Sequence, residues 1–245
     1  MENRNFQLDT EWNMIHYPPQ PNGFGVLIIG DDRNFVNQST SFWTQNEGKK
    51  QLVESLLEKG YTIFYSNLYG KNWGSNQACQ LAERLYRYVI RSEILNQKIH
   101  LIAEGMGALT AIQLMKEMKV NIRSVVLFNP ILSLKDHIER EKEHKFFFKK
   151  LCNEISVAFH LNEEEVLPFL KGRKEILLEE TSAPVKIIQI LHDGKSYYQS
   201  NYLKKESTEW KKKKLPIIVS YVVPEKRSTL PKHIHLFFQA NEKYL

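Results

Sequence analysis

Cysteine is scarce: Cys79 and Cys152 are the only two in 245 residues. Two thiols cannot build the disulfide framework that staples small secreted domains, so the expectation is a reducing, cytoplasmic setting. Long apolar runs are missing too. No stretch approaches the ~20 consecutive apolar residues of a bilayer-crossing helix, and Met1 to Met14 is polar where a secretory leader would carry its apolar core. No basic and aromatic motif of a nucleic-acid-binding fold is present. The net charge is +6, yet the basic residues are interleaved with acids. The dense run Lys211 to Lys214 follows Trp210 and reads as the cationic end of a helix, where lysine complements the helix dipole. Internal repeats and low-complexity tracts are absent, and oligomeric state is not legible.

What is present is enough apolar material for a packed core, with 42% hydrophobic and 25% charged residues. The length suits one sizeable domain, residues 1–245. Val26 to Ile29, Thr62 to Tyr65, His100 to Ile102 and Ser124 to Phe128 are almost continuously apolar, the pattern of strands buried on both faces of a parallel sheet. Between them run helical patterns. Lys49 to Lys59 carries Leu52, Val53, Leu56 and Leu57, closed by Gly60. Gln77 to Ile94 carries Leu81, Leu85, Tyr88 and Val89. Gly107 to Met118 carries Leu109, Ile112, Leu114 and Met115. Strands alternating with helices imply a doubly wound, mostly parallel α/β sheet. Val185 to Leu191 and Pro216 to Val223 extend it, and residues 4–16 read as an edge strand or hairpin ended by Pro18-Pro19. Residues 133–182 break the rhythm with a charge-rich stretch, a helical cap insert of two or three helices.

The informative turn is Ile99 to Ala111, which reads as a buried strand, a sharp glycine turn and a helix start. Ala103-Glu104-Gly105-Met106-Gly107 stands where a G-x-S-x-G nucleophile elbow would be. With Gly60-Tyr61-Thr62-Ile63-Phe64-Tyr65-Ser66-Asn67-Leu68-Tyr69-Gly70, with Gly74-Ser75, with the strand Gly25 to Gly30, with Asn129-Pro130 and with Pro184 opening the strand Val185 to Ile188, the chain resembles the α/β-hydrolase family over roughly residues 24–245. Ile29 stands where that family usually has histidine. The resemblance implies an α/β-hydrolase fold and a nucleophile position at Gly105. It also implies an acid at Asp193 and a base at His233, with His235 as the alternative, and oxyanion-binding N–H groups on Met106 and Asp31.

Glycine offers no oxygen or sulfur for covalent acyl transfer, although it enters the strained elbow backbone freely. The leading expectation is therefore a pseudoenzyme that binds a small acyl-like ligand or a protein partner. A hydrolase or lyase run without a covalent intermediate by His233 and Asp193 is the alternative, since a carboxylate-oriented histidine is a competent base. Gly105-Met106-Gly107-Ala108-Leu109-Thr110 also resembles a dinucleotide fingerprint, but Thr110 replaces the third glycine and no acid follows at the end of the next strand. No cofactor and no metal are expected, because His233 and His235 lack a third ligand. His100 reads as a core histidine, and His137, His144 and His160 as solvated. Trp43, Trp73, Tyr197 and Tyr198 read as pocket-mouth or sheet-covering aromatics.

Overall fold

In the computed structural model the β-branched runs become eight strands of a single sheet, over the described residues 2–191 and 199–242. They are β1 (Glu2–Leu8), β2 (Glu11–Tyr17), β3 (Gly25–Ile29), β4 (Thr62–Ser66), β5 (Ile99–Glu104), β6 (Ile122–Phe128), β7 (Val185–Ile190) and β8 (Ile217–Val222). Their spatial order is β1-β2-β4-β3-β5-β6-β7-β8. The strands from β3 to β8 run parallel, and the β1–β2 hairpin adds antiparallel to β4. Every residue of β3, β4 and β6 is buried, which is why their sequences are continuously apolar rather than alternating.

Helices cover both faces. On one side lie α1 (Phe42–Gln45), α2 (Glu47–Glu58) and α9 (Leu230–Ala240), and on the other α3 (Asn76–Ser92), α4 (Gly107–Glu117) and α8 (Ser200–Lys212). Local chemistry sets their ends. The Asn46 side chain caps α2 by accepting from the Lys49 N–H, and Gly60 leaves the helix at φ +89. Ser75 caps α3 by accepting from Ala78. The periodic stripe of α3 is corrected at one position. Tyr86 is buried and Tyr88 lies outside, stacked on Phe6 at 4.6 Å. Each large apolar side chain taken out of water contributes about 1.5–3 kcal/mol, so these two layers dominate the stability of the fold.

Between β6 and β7 the chain forms α5 (Leu134–Glu141), α6 (Lys145–Phe159) and α7 (Val166–Gly172). Ile138, Leu151, Ile155, Val166 and Leu170 form a third apolar cluster with Trp73 and Met106. Met106 follows the turn at the end of β5, so these helices sit against the C-terminal ends of the strands. Among the described residues no helix is long and apolar enough to cross a membrane.

Candidate functional site

The turn after β5 has the geometry its glycines suggest. Gly105 adopts φ +52, a left-handed conformation that costs a residue with a side chain about 1–2 kcal/mol. Its N–H donates to the Phe128 carbonyl at 3.0 Å and its carbonyl accepts from the Ile131 N–H at 2.9 Å. Gly107 lets α4 approach the sheet, since a Cβ there would stand 2.6 Å from the Gly30 carbonyl oxygen.

What faces Gly105 is the side chain of Asp31, from the loop after β3. A Cβ built on Gly105 would lie 2.2 Å from the Asp31 carboxyl carbon, far inside contact distance. Asp31 Oδ1 accepts the Met106 N–H at 3.0 Å. Met106 and Asp31, assigned from the sequence as a pair of N–H donors for an oxyanion, do meet. The correction is that Asp31 enters through its carboxylate and takes up the Met106 donor. Burial pushes the Asp31 carboxyl up to about 6; the Met106 N–H acts in the opposite direction, while Glu104 and Asp32 add to the rise. Glu104 itself turns to the other side of the elbow and pairs with Lys49.

Beside Gly105 opens a cavity of about 230 Å³. Asp31 and Asp32 come to it from the β3 loop, Trp73 from the loop before α3, His137 and Glu141 from α5, and Glu154 from α6. His137 is thus not one of the solvated histidines of the charged segment. Its ring stacks on Trp73 with centroids 5.5 Å apart. The charge-rich pattern of α5 masks it in the sequence. The available signal was the four-residue spacing of His137 and Glu141, which puts both on one helix face. His144 and His160 are exposed. Trp43 is a core residue, fully buried, whose Nε1 donates to Asn34 at 3.1 Å.

The structure does not bring His233 to Gly105. His233 lies on the exposed side of α9, lining a separate groove with Lys186 and Tyr221. Pro231 opens α9 before it, so it stands on a helix. His235 faces a larger groove of about 890 Å³ on the Glu104 side of the elbow, and its Nδ1 lies 3.4 Å from the Tyr61 hydroxyl. Asp193, Tyr197 and Tyr198 lie outside the described residues. Among the described residues, no three or more His, Cys, Asp or Glu side chains are grouped to hold a metal ion.

One serine, histidine and carboxylate do form a chain. Ser124 Oγ is 2.8 Å from His100 Nδ1, and His100 Nε2 is 3.2 Å from Glu242 Oε1. Ser124 and His100 are fully buried near the N-terminal ends of β5 and β6, the end of the sheet remote from Gly105, so no substrate can reach the hydroxyl. The Tyr61 hydroxyl donates to the same Glu242 oxygen at 2.6 Å. This cluster fastens the segment after α9 to the sheet and confirms His100 as a core histidine.

No protein-family profile matches the chain, and no curated protein matches it. Solved structures do. A Pyrococcus horikoshii acylaminoacyl peptidase superposes with a TM-score of 0.70 at 14% identity, over 100% of this chain but only 42% of the peptidase. Est1E from Butyrivibrio proteoclasticus gives 0.62 at 12% identity, over 98% of each chain. An esterase of Pyrococcus furiosus gives 0.63 at 14% identity, over 98% of this chain and 91% of the esterase. At such identities the likeness is one of fold, and the fold is the α/β-hydrolase fold expected from the landmarks around Gly105.

Proposed function

We propose that this chain uses the α/β-hydrolase fold as a binding module, with glycine in the place of the nucleophilic serine and without serine-hydrolase chemistry. The observation that carries this reading is the fit between Gly105 and Asp31: the carboxylate fills the room a nucleophile's side chain would need and accepts the Met106 N–H. A covalent acyl enzyme needs an oxygen or sulfur at the elbow and a free donor for the oxyanion. Neither is supported here. The ligand of this reading is a small molecule in the cavity beside Gly105, lined by residues of α5 and α6; a protein partner has less support, because the cavity holds only about 230 Å³. A dinucleotide is disfavoured by charge, since its pyrophosphate would meet the Asp31 carboxylate at the start of α4. The setting remains a reducing cytoplasm in this reading, consistent with the two buried free thiols of Cys79 and Cys152.

The test is labelling with a fluorophosphonate probe. The native chain should label no more than its heat-denatured control, and robust labelling would overturn the reading. Hydrolysis of p-nitrophenyl acetate that disappears in His233→Ala would instead support the histidine–acid alternative. The exposed position of His233, in a groove apart from Gly105, argues against that outcome.

A further inference from the structure

We propose that the cavity beside Gly105 takes a small organic cation, an arylalkylammonium or alkylammonium, held between carboxylates and aromatic faces. This rests on the reading of that cavity as a non-covalent binding site. Among the described residues, four carboxylates line it, Asp31, Asp32, Glu141 and Glu154, against one lysine, Lys150. Among the described residues, the nearby cations Lys71 and Lys150 are engaged by one acid. Glu154 pairs with Lys71, lies 3.9 Å from Lys150 Nζ and accepts the Trp73 Nε1–H at 3.2 Å.

Glu141 is different. It is only 6% exposed and lines the cavity. Among the described residues no hydrogen bond or ion pair reaches its side-chain carboxylate. A largely buried carboxylate whose oxygens have no protein partner and only the cavity's solvent to satisfy them is poorly compensated, and a cation delivered into the cavity supplies the partner. Asp31 has the Met106 N–H but no cation among the described residues. It brings a second negative charge to the floor of the same space.

Part of the remaining wall is aromatic, beside Ile131 and Leu151. Trp73 and His137 stack near-parallel, with 24° between their planes, and Phe147 closes the lining. An ammonium over such faces gains a cation–π contribution that a neutral or anionic ligand does not. A carboxylate or phosphate ligand would be repelled by the lining acids, and a neutral acyl chain would leave Glu141 unsatisfied. The volume, about 230 Å³, is below that of sites for drug-sized molecules and suits one ring or a short chain.

The experiment is calorimetric titration of the intact chain with phenethylamine, its neutral isostere 2-phenylethanol, and phenylacetate. Phenethylammonium should bind at least tenfold more tightly than either of the others. Glu141→Gln and Asp31→Asn should each weaken it at least tenfold, while Glu225→Gln, on an exposed turn away from the cavity, leaves it unchanged. Equal affinity for the three probes, or no detectable phenethylamine binding, overturns the proposal. So does undiminished phenethylamine affinity in a folded Glu141→Gln chain. The probe comparison needs no variant, so a Glu141→Gln chain that fails to fold does not rescue the idea. Amine binding that fails without fluorophosphonate labelling sinks this inference alone. Labelling would sink the binding-module reading on which it rests.

Discussion

Gly105→Ser separates two costs that the site combines. The first is backbone strain: φ +52 charges a residue with a Cβ about 1–2 kcal/mol. The second is displacement of Asp31, whose carboxyl carbon lies 2.2 Å from the new Cβ. Moving it away breaks the bond from the Met106 N–H, and hydrogen bonds to charged groups contribute about 1.5–3 kcal/mol. About 2 kcal/mol of that loss is returned when the buried carboxylate reaches water. The single variant should therefore lose about 1–3 kcal/mol. In an Asp31→Ala background nothing is displaced, and Gly105→Ser should cost only the strain, about 1–2 kcal/mol. Urea unfolding of the four proteins, followed by circular dichroism at pH 7.5, yields the coupling between the two sites, expected at about 1 kcal/mol. Additivity within about 0.5 kcal/mol would refute the claim that Asp31 occupies the nucleophile's place. A stabilised Gly105→Ser chain would refute the strained turn. Turnover of short esters should remain slow at best in both serine variants, because His233 stands outside this cavity.

Asp31→Asn should raise stability at neutral pH. The Asp31 carboxyl titrates at about 6 in the folded chain against an ordinary 3.8, so the native state holds the proton more tightly. Its ionisation penalty is absent below about pH 4, grows through pH 6 and is complete above it, reaching about 2 kcal/mol after allowance for partial exposure. Melting of both proteins from pH 4 to pH 8 should show the gain appearing only as pH rises, and the opposite trend would contradict the burial assigned to Asp31. Glu242→Gln should cost about 1–2 kcal/mol at pH 7 through weakened bonds to Tyr61 and His100. Burial by itself would raise the Glu242 carboxyl, but those bonds hold it below the ordinary value. The stabilisation is thus present above about pH 4 and lost in stronger acid; a cost that persists unchanged at pH 2.5 would count against it. Gly74→Ala should destabilise by about 2–4 kcal/mol, because Gly74 has φ +70 and a Cβ there would lie 2.7 Å from Leu109 Cβ. A neutral result in chemical denaturation would mean that the loop before α3 can shift.

Part of the site was legible in the residues. The glycine at 105 and the strand–turn–helix around it follow from local sequence, because a buried apolar strand ending in Glu104-Gly105-Met106-Gly107 leaves few backbone choices. The position of His233 was also legible in principle. Ile234 and Phe238 are four apart and both fully buried, which turns the neighbouring His233 outward on a helix started at Pro231. The role of Asp31 was not legible. The glycine at 105 registers in sequence only as the lack of a side chain, whereas a packed interior fills the space beside it. The filler comes from residue 31, which β3 delivers beside β5. His137 and Glu141 were hidden for a related reason. The charge pattern of α5 does not say which face turns inward until Leu134 and Ile138 find Trp73 and Met106.

The order of apolar runs by itself determined the parallel sheet, the covering helices and the absence of a side chain at the elbow, because hydrophobic periodicity and turn chemistry act over a few residues at a time. Only the tertiary structure decided that an aspartate 74 positions earlier in the chain would face Gly105, and that α5 would bring a buried glutamate to the same cavity. Those contacts depend on which strands become neighbours, and long-range volume and charge compensation leaves no local pattern to read.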